Sequence, residues 1–330
     1  MGFESVLGIL SGIILLLITP WVLFSLVSTF CDATVGYLDE WLLGKISNEN
    51  DKSAMDAPGQ LIIISGLFGI VVSVIVLILA WAVPAIHIIF TSESFLNAFA
   101  AGILEVIWLI PYFYAIERGG ALNTTPLFQT IPIFSLFIGI MFFGEIPIFV
   151  HILAALLIIS GALILNYSPA LRKIDKRTLL LMLLSSAIIS VGYFLFKDAA
   201  ELSNFATAAF GNGLGMGFLS FLIWVLWKPY REQFIKRLLT FDRKIIFAQT
   251  ANEGLYAVAA VFNQLAIVFG PSVMMVSAMA AFHPVFTLLI GSALAKLHIG
   301  NYKESFSSNK KYTKIVAILI IAAGTILIAI

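Results

Sequence analysis

The sequence predicts an all-α integral membrane protein of ten transmembrane helices, arranged as two inverted five-helix repeats. Three observations carry this. Of the 330 residues, 61% are hydrophobic and only 11% charged, against roughly a quarter charged in a soluble domain. The apolar runs are about twenty residues long, the length of a membrane-crossing helix and about twice that of a barrel strand. Finally, PIFSLFIG at Pro132–Gly139 recurs as PVFTLLIG at Pro284–Gly291, close to half the chain later, as expected of a duplicated bundle.

Taken in order, span 1 is expected from about Val6 into the thirties, with Pro20 as a kink and Asp32 near its end; the apolar run at the N-terminus reads as this span and not as a signal peptide. Residues 39–58 (DEWLLGKISNENDKSAMDAP) read as a polar connection. Span 2 covers about Gln60–Val83 and span 3 about Phe95–Ile116, which contains Glu105. The bend Glu117-Arg118-Gly119-Gly120 leads to span 4, about Asn123–Phe143, with the first proline motif. Gly144-Glu145-Ile146-Pro147 turns into span 5, about Phe149–Leu165.

After a charged linker come span 6 (Leu179–Phe196), ending at Lys197, and span 7 (Phe205–Trp227). A basic loop from Lys228 to Lys244 precedes span 8 (Ile245–Phe269). Gly270-Pro271 turns into span 9 (Ser272–Ala295), with the second motif, and a polar loop precedes span 10, ending at Ile330. The repeats are expected at 1–168 and 178–330. Five spans per half is odd, so the halves enter the membrane in opposite directions, which places a substrate site between them near the midplane. All Lys and Arg except Lys197 fall in alternate connections. The positive-inside rule then puts those loops in the cytoplasm and both termini outside.

Ionisable residues inside spans cost roughly 2.5–3.5 kcal/mol on insertion scales, so they normally face a cavity or a partner. Glu105 shares a helix face with Trp108 and Tyr112, and Glu253 shares one with Tyr256 and Asn263, Gln264 being adjacent. Each carboxylate reads either as a cavity group for a cation or proton, or as a buried acid hydrogen-bonded between helices. Gln129 and Thr130 precede Pro132, and His283 precedes Pro284; each proline should leave a carbonyl able to accept from a ligand or water. Tyr193 and Lys197 are one turn apart. Lys197 either holds an anionic group or snorkels to the interface, with Asp32 as one candidate partner. Gly211, Gly213, Gly215 and Gly217 lack GxGxxG spacing and form two small-xxx-small pairs, which point to helix packing.

A family likeness enters through YFYAIERGGALNTTPLFQTIPIFSLFIGIMFFGE (112–145) and FNQLAIVFGPSVMMVSAMAAFHPVFTLLIG (262–291). These resemble the paired units of EamA-type transporters in the drug/metabolite transporter superfamily. The YLDEWLLGK and KPYREQF stretches resemble a bacterial EamA-like subgroup. The resemblance matches Pro132, Gly144-Glu145, Pro284 and Lys197, and implies export or exchange of a small metabolite. A bacterial inner membrane is the expected location.

The resulting function is a secondary active transporter of a small metabolite or amphipathic compound by alternating access, with proton coupling through Glu105 or Glu253. Its rival is a non-transporting scaffold or lipid-binding subunit. A membrane enzyme is disfavoured because no HExxH, nucleophile–base pair or mid-span aspartate pair appears. His151 and His298 have no companion ligands, and Cys31 is the sole cysteine, so no metal or cofactor is expected. Partners are a small-molecule substrate and the lipid bilayer but no nucleic acid; the chain is expected as a monomer or homodimer.

Overall fold

A computed structural model describes residues 19–47, 57–119, 124–166, 175–240, 243–296 and 311–328. Among the described residues the chain is all-helical with no strand. Seven helical stretches are long and apolar enough to cross a membrane, and Ile131–Phe142, Phe149–Gly161 and Ile315–Gly324 are shorter apolar helices.

Helix α1 runs Pro20–Ser47. Pro20 is its first residue, where a missing N–H costs nothing; the kink expected there involves the chain before residue 19, which lies outside the described residues. The helix also continues well past the thirties. Asp39 and Trp41, expected in a polar connection, lie on α1, because Asp39 finds partners on two other helices. Helix α2 (Ala57–Ala82) follows; its Val71, Val74, Ile75 and Ile78 are exposed, an apolar stripe suited to lipid. Thr91 caps α3 (Ser92–Ile107) by accepting from the Ser94 N–H. Helix α4 (Leu109–Gly119) continues the same span after a break at Trp108. Pro111 explains the break: it has no N–H for the Ile107 carbonyl four residues back.

The first proline motif begins α5 (Ile131–Phe142) after a 3-10 turn, Thr125–Thr130. Helix α6 (Phe149–Asn166) completes the first half. Asp175 caps α7 (Lys176–Leu202) and Asn204 caps α8 (Phe205–Leu226). The supposed basic loop after it is in fact mostly helix, α9 (Lys228–Thr240). Its Tyr230 is buried, its hydroxyl 2.6 Å from that of Tyr114. Helix α10 is Arg243–Phe269. The second motif repeats the design of the first: α11 (Val273–Ala278), a 3-10 turn Met279–Phe282, then α12 (His283–Lys296). Helix α13 (Lys311–Ile328) ends the described chain.

The 3-10 turns correct one expectation. The Ile131 N–H bonds the Phe128 carbonyl and the His283 N–H bonds the Ala280 carbonyl. Those are the carbonyls four residues before Pro132 and Pro284, so tightening the helix satisfies the groups that proline would orphan.

Packing pairs α1 with α10, α3 and α4 with α7, α2 and α3 with α8, α5 with α11, and α6 with α13. The four glycines of α8 face two ways. Gly211 and Gly215 abut α3, where a Cβ on Gly215 would strike the Phe99 carbonyl. Gly213 and Gly217 abut α2, at Gly69 and Ile70. Close approach is the physical reason for glycine here. Gly161 and Gly324 make the matching contacts between α6 and α13: a Cβ added to either would lie 2.9 Å from a carbonyl oxygen of the other helix.

Candidate functional site

Helices α1, α3, α4, α7 and α10, with the broken stretch Val276–His283, enclose a cavity of about 100 Å³. That exceeds by several-fold the roughly 10–15 Å³ needed for one water. Each helix supplies one face. From α1 come Ser25, Ser28, Thr29, Asp32 and Asp39, recurring every three, four or seven residues as a single stripe demands. From α3 and α4 come Glu105, Trp108 and Tyr112; from α7, Tyr193; from α10, Asn252, Glu253, Tyr256 and Asn263. His283 and Ser277 line the side nearest the second motif.

The four carboxylates differ in how fully they are engaged. Asp39, 2% exposed, accepts from Tyr112 Oη (3.0 Å) and Asn252 Nδ2 (2.8 Å), one on each oxygen. Glu253, equally buried, accepts from Ser65 Oγ at 2.8 Å. Glu105 is held by the amides of Asn212 and Gln264. With the Asn212 oxygen accepting from the Gly102 N–H (3.1 Å), its nitrogen lies 2.9 Å from Glu105 Oε2. Asp32 is half-buried, and its partner Ser28 Oγ is at 3.5 Å, the outer limit of a hydrogen bond.

Aromatic rings complete the wall. Trp108 and Tyr112 lie 5.0 Å apart, Tyr112 and Phe128 5.7 Å, and Phe128 and His283 5.5 Å between centroids. The His283 imidazole hydrogen-bonds the Asp32 backbone and lies 3.2 Å from Thr287 Oγ1. Two lining residues each carry a buried polar atom without a partner, sealed from the cavity itself: Trp108 Nε1, a donor, and Asn252 Oδ1, an acceptor. Among the described residues no three His, Cys, Asp or Glu side chains converge as metal ligands would.

Of the residues singled out from sequence, Glu105, Trp108, Tyr112, Tyr193, Glu253, Tyr256, Asn263 and His283 line this cavity. Gln264 sits behind Glu105, on a small adjoining void with Asn212. Thr130 does not face the cavity; its hydroxyl is taken by the Leu127 carbonyl (2.6 Å) and Ser186 Oγ (2.8 Å). The Gln129 side chain lies outside the described residues. Lys197 is also absent from the cavity, and Asp32 is not its partner. It pairs with Glu145 at 3.0 Å, and the same Glu145 Oε1 accepts from the Val273 N–H at the start of α11. The pair ties the α5–α6 turn to α7 and α11.

Sequence reasoning missed Asp39 and Asn252 and gave Asp32 the wrong role. The signal was present as the Ser25–Ser28–Asp32–Asp39 spacing, but it is visible only if the helix is carried beyond the apolar run.

The model of the EamA-like transporter family matches residues 52–167. Among 23 matching chains of known structure, one named only "Crystal structure of protein" superposes with a TM-score of 0.59. That match covers 91% of this chain and 97% of the other at 15% identity, a likeness of fold. None of the curated proteins matches the chain. Over residues 52–167 the chain is thus similar to the EamA-like transporter family, and its apolar helices make it a multi-pass membrane protein.

Proposed function

We propose that the protein is a secondary transporter that moves a small metabolite or amphipathic compound by alternating access, with the α1/α3/α4/α7/α10 cavity as its substrate site. One observation carries this reading. A cavity holding four carboxyl groups is built by helices from both halves of an otherwise apolar bundle, where ionisable groups are retained for function.

The seven long and three short apolar helices count as ten passes in two inverted repeats, 1–168 and 178–330. The packing pattern supports that. Helices α1/α10 and α7/α3 are repeat counterparts of each other, while α2/α8, α5/α11 and α6/α13 each pair with their own counterpart. Rocking one half against the other would open the cavity to alternate sides. Glu253, beside Ser65, is the candidate carrier of a coupling proton and Glu105 the second. The charge bias favours a plasma membrane orientation with the basic connections in the cytoplasm.

Cys31 is the sole cysteine, so C31A gives a cysteine-free background. Adding A260C places a thiol on the cavity wall. A membrane-impermeant sulfonated maleimide should label it in both right-side-out and inside-out vesicles. Labelling from one side alone would refute alternating access and favour a non-transporting subunit.

A further inference from the structure

We propose that the cavity selects a small organic cation, a protonated amine whose N–H groups bond Asp32 while its apolar body lies against the Trp108–Tyr112–Phe128 wall. This rests on the cavity being the substrate site, as argued above, and adds the substrate's chemical class.

The charge inventory comes first. Among the described residues the lining holds four carboxyl groups and no lysine or arginine, His283 being its one basic side chain. Lys197, one turn beyond Tyr193 on α7, is engaged by Glu145 outside the cavity. An anionic substrate would meet like charge and no cationic clamp, and a zwitterion's carboxylate would meet the same obstacle. A wall of one sign in a low-dielectric setting concentrates the opposite sign.

Hydrogen bonding gives an independent argument. Asp32, whose partner Ser28 Oγ is at 3.5 Å, is the least engaged of the four acids. An acid left without close donors inside an apolar bundle is costly. The group it lacks is a donor. An ammonium provides up to three.

Ring geometry is consistent with the same class. Trp108, Tyr112 and Phe128 form a continuous aromatic surface with centroid spacings of 5.0, 5.7 and 6.5 Å, and such faces attract organic cations, tryptophan most strongly. A bare metal ion fits less well, since no three acids converge on a point among the described residues.

The test is binding of a near-isosteric series to the purified full-length protein in detergent, read by isothermal titration calorimetry at pH 7. The series is phenethylamine, its N,N,N-trimethyl derivative, 2-phenylethanol and phenylacetate. Phenethylamine should bind at least tenfold more tightly than the alcohol and the acid, and more tightly than the trimethyl derivative, which has no N–H. Asp32→Asn should lower phenethylamine affinity by roughly ten- to a hundredfold, the range for a hydrogen bond to a charged group, and leave 2-phenylethanol unchanged. Equal or tighter binding of the alcohol or the acid, or no binding of either amine at millimolar concentration, overturns the proposal. So does unchanged amine affinity in Asp32→Asn. The wild-type series decides even if that variant does not fold. Amine binding with one-sided labelling of A260C would remove transport and keep the cation site. Two-sided labelling without amine preference would do the reverse.

Discussion

Removing the Lys197–Glu145 pair should cost far more than removing a typical surface ion pair. The side chains are 15% and 17% exposed and 3.0 Å apart. At that distance the attraction is about 5 kcal/mol for an effective dielectric of about 20, and desolvation offsets part of it. Breaking one partner of a buried pair typically costs about 3–5 kcal/mol because the other charge is left uncompensated. Lys197→Met should therefore destabilise by about 3 kcal/mol. Glu145→Gln should cost a similar amount, because its amide oxygen can still accept the Val273 N–H that Glu145 Oε1 takes at 3.1 Å. Glu145→Ala loses that bond too and should cost about 1 kcal/mol more. The assay is unfolding of the detergent-solubilised protein, where roughly 2–4 °C per kcal/mol is expected, run as a double-mutant cycle. Lys197→Met/Glu145→Gln should recover at least about 1.5 kcal/mol relative to the sum of the single changes. Additivity within about 0.5 kcal/mol would show that the pair is not coupled and would refute the reasoning from its burial and distance.

Other outcomes follow from the same contacts. Gly215→Leu should abolish the folded, monodisperse protein in size-exclusion chromatography, because any side chain there meets the Phe99 carbonyl. Gly254→Ala is the control: nothing lies within 4 Å of its Cβ position, so it should be neutral or stabilise α10 by up to about 1 kcal/mol. Tyr112→Phe removes one of the two donors on Asp39 and should lower stability by about 0.6–1.7 kcal/mol, the range for interhelical bonds in membranes. Asp175 caps α7 outside the membrane. The Thr178 N–H, chiefly, and Arg118 hold its carboxyl below 3.8. Its contribution is therefore present above pH 3.8 and is lost as pH falls through the lowered value. Asp175→Ala should accelerate Thr178 amide exchange at pH 7, and the difference from wild type should vanish below that value.

Several features were legible in the residues because they follow from local chemistry. Apolar runs of about twenty residues leave a helix as the way to satisfy the backbone in lipid. The twin proline motifs mark helix restarts, since proline suits a first turn and not an interior. Glycine spacing on α8 announced close packing, and the stripes through Glu105 and Glu253 were visible as helical periodicity. The site's fourth wall was not. Asp39 looks like the start of a loop, since a charged residue after an apolar run normally is one. Its place on α1 depends on Tyr112 and Asn252, 73 and 213 positions away. Likewise Lys197 could have faced the cavity or snorkelled; Glu145, 52 residues earlier, decides it.

By itself, then, the sequence determined an apolar helical bundle, its proline-marked breaks and two of its acids, all of which depend on neighbours within a turn or two. The tertiary structure alone decided that four carboxylates share one cavity, that no lysine or arginine reaches it among the described residues, and which polar atoms of its lining residues lack partners. Those facts depend on where helices meet. A buried charge is acceptable on a span only where a distant helix completes it.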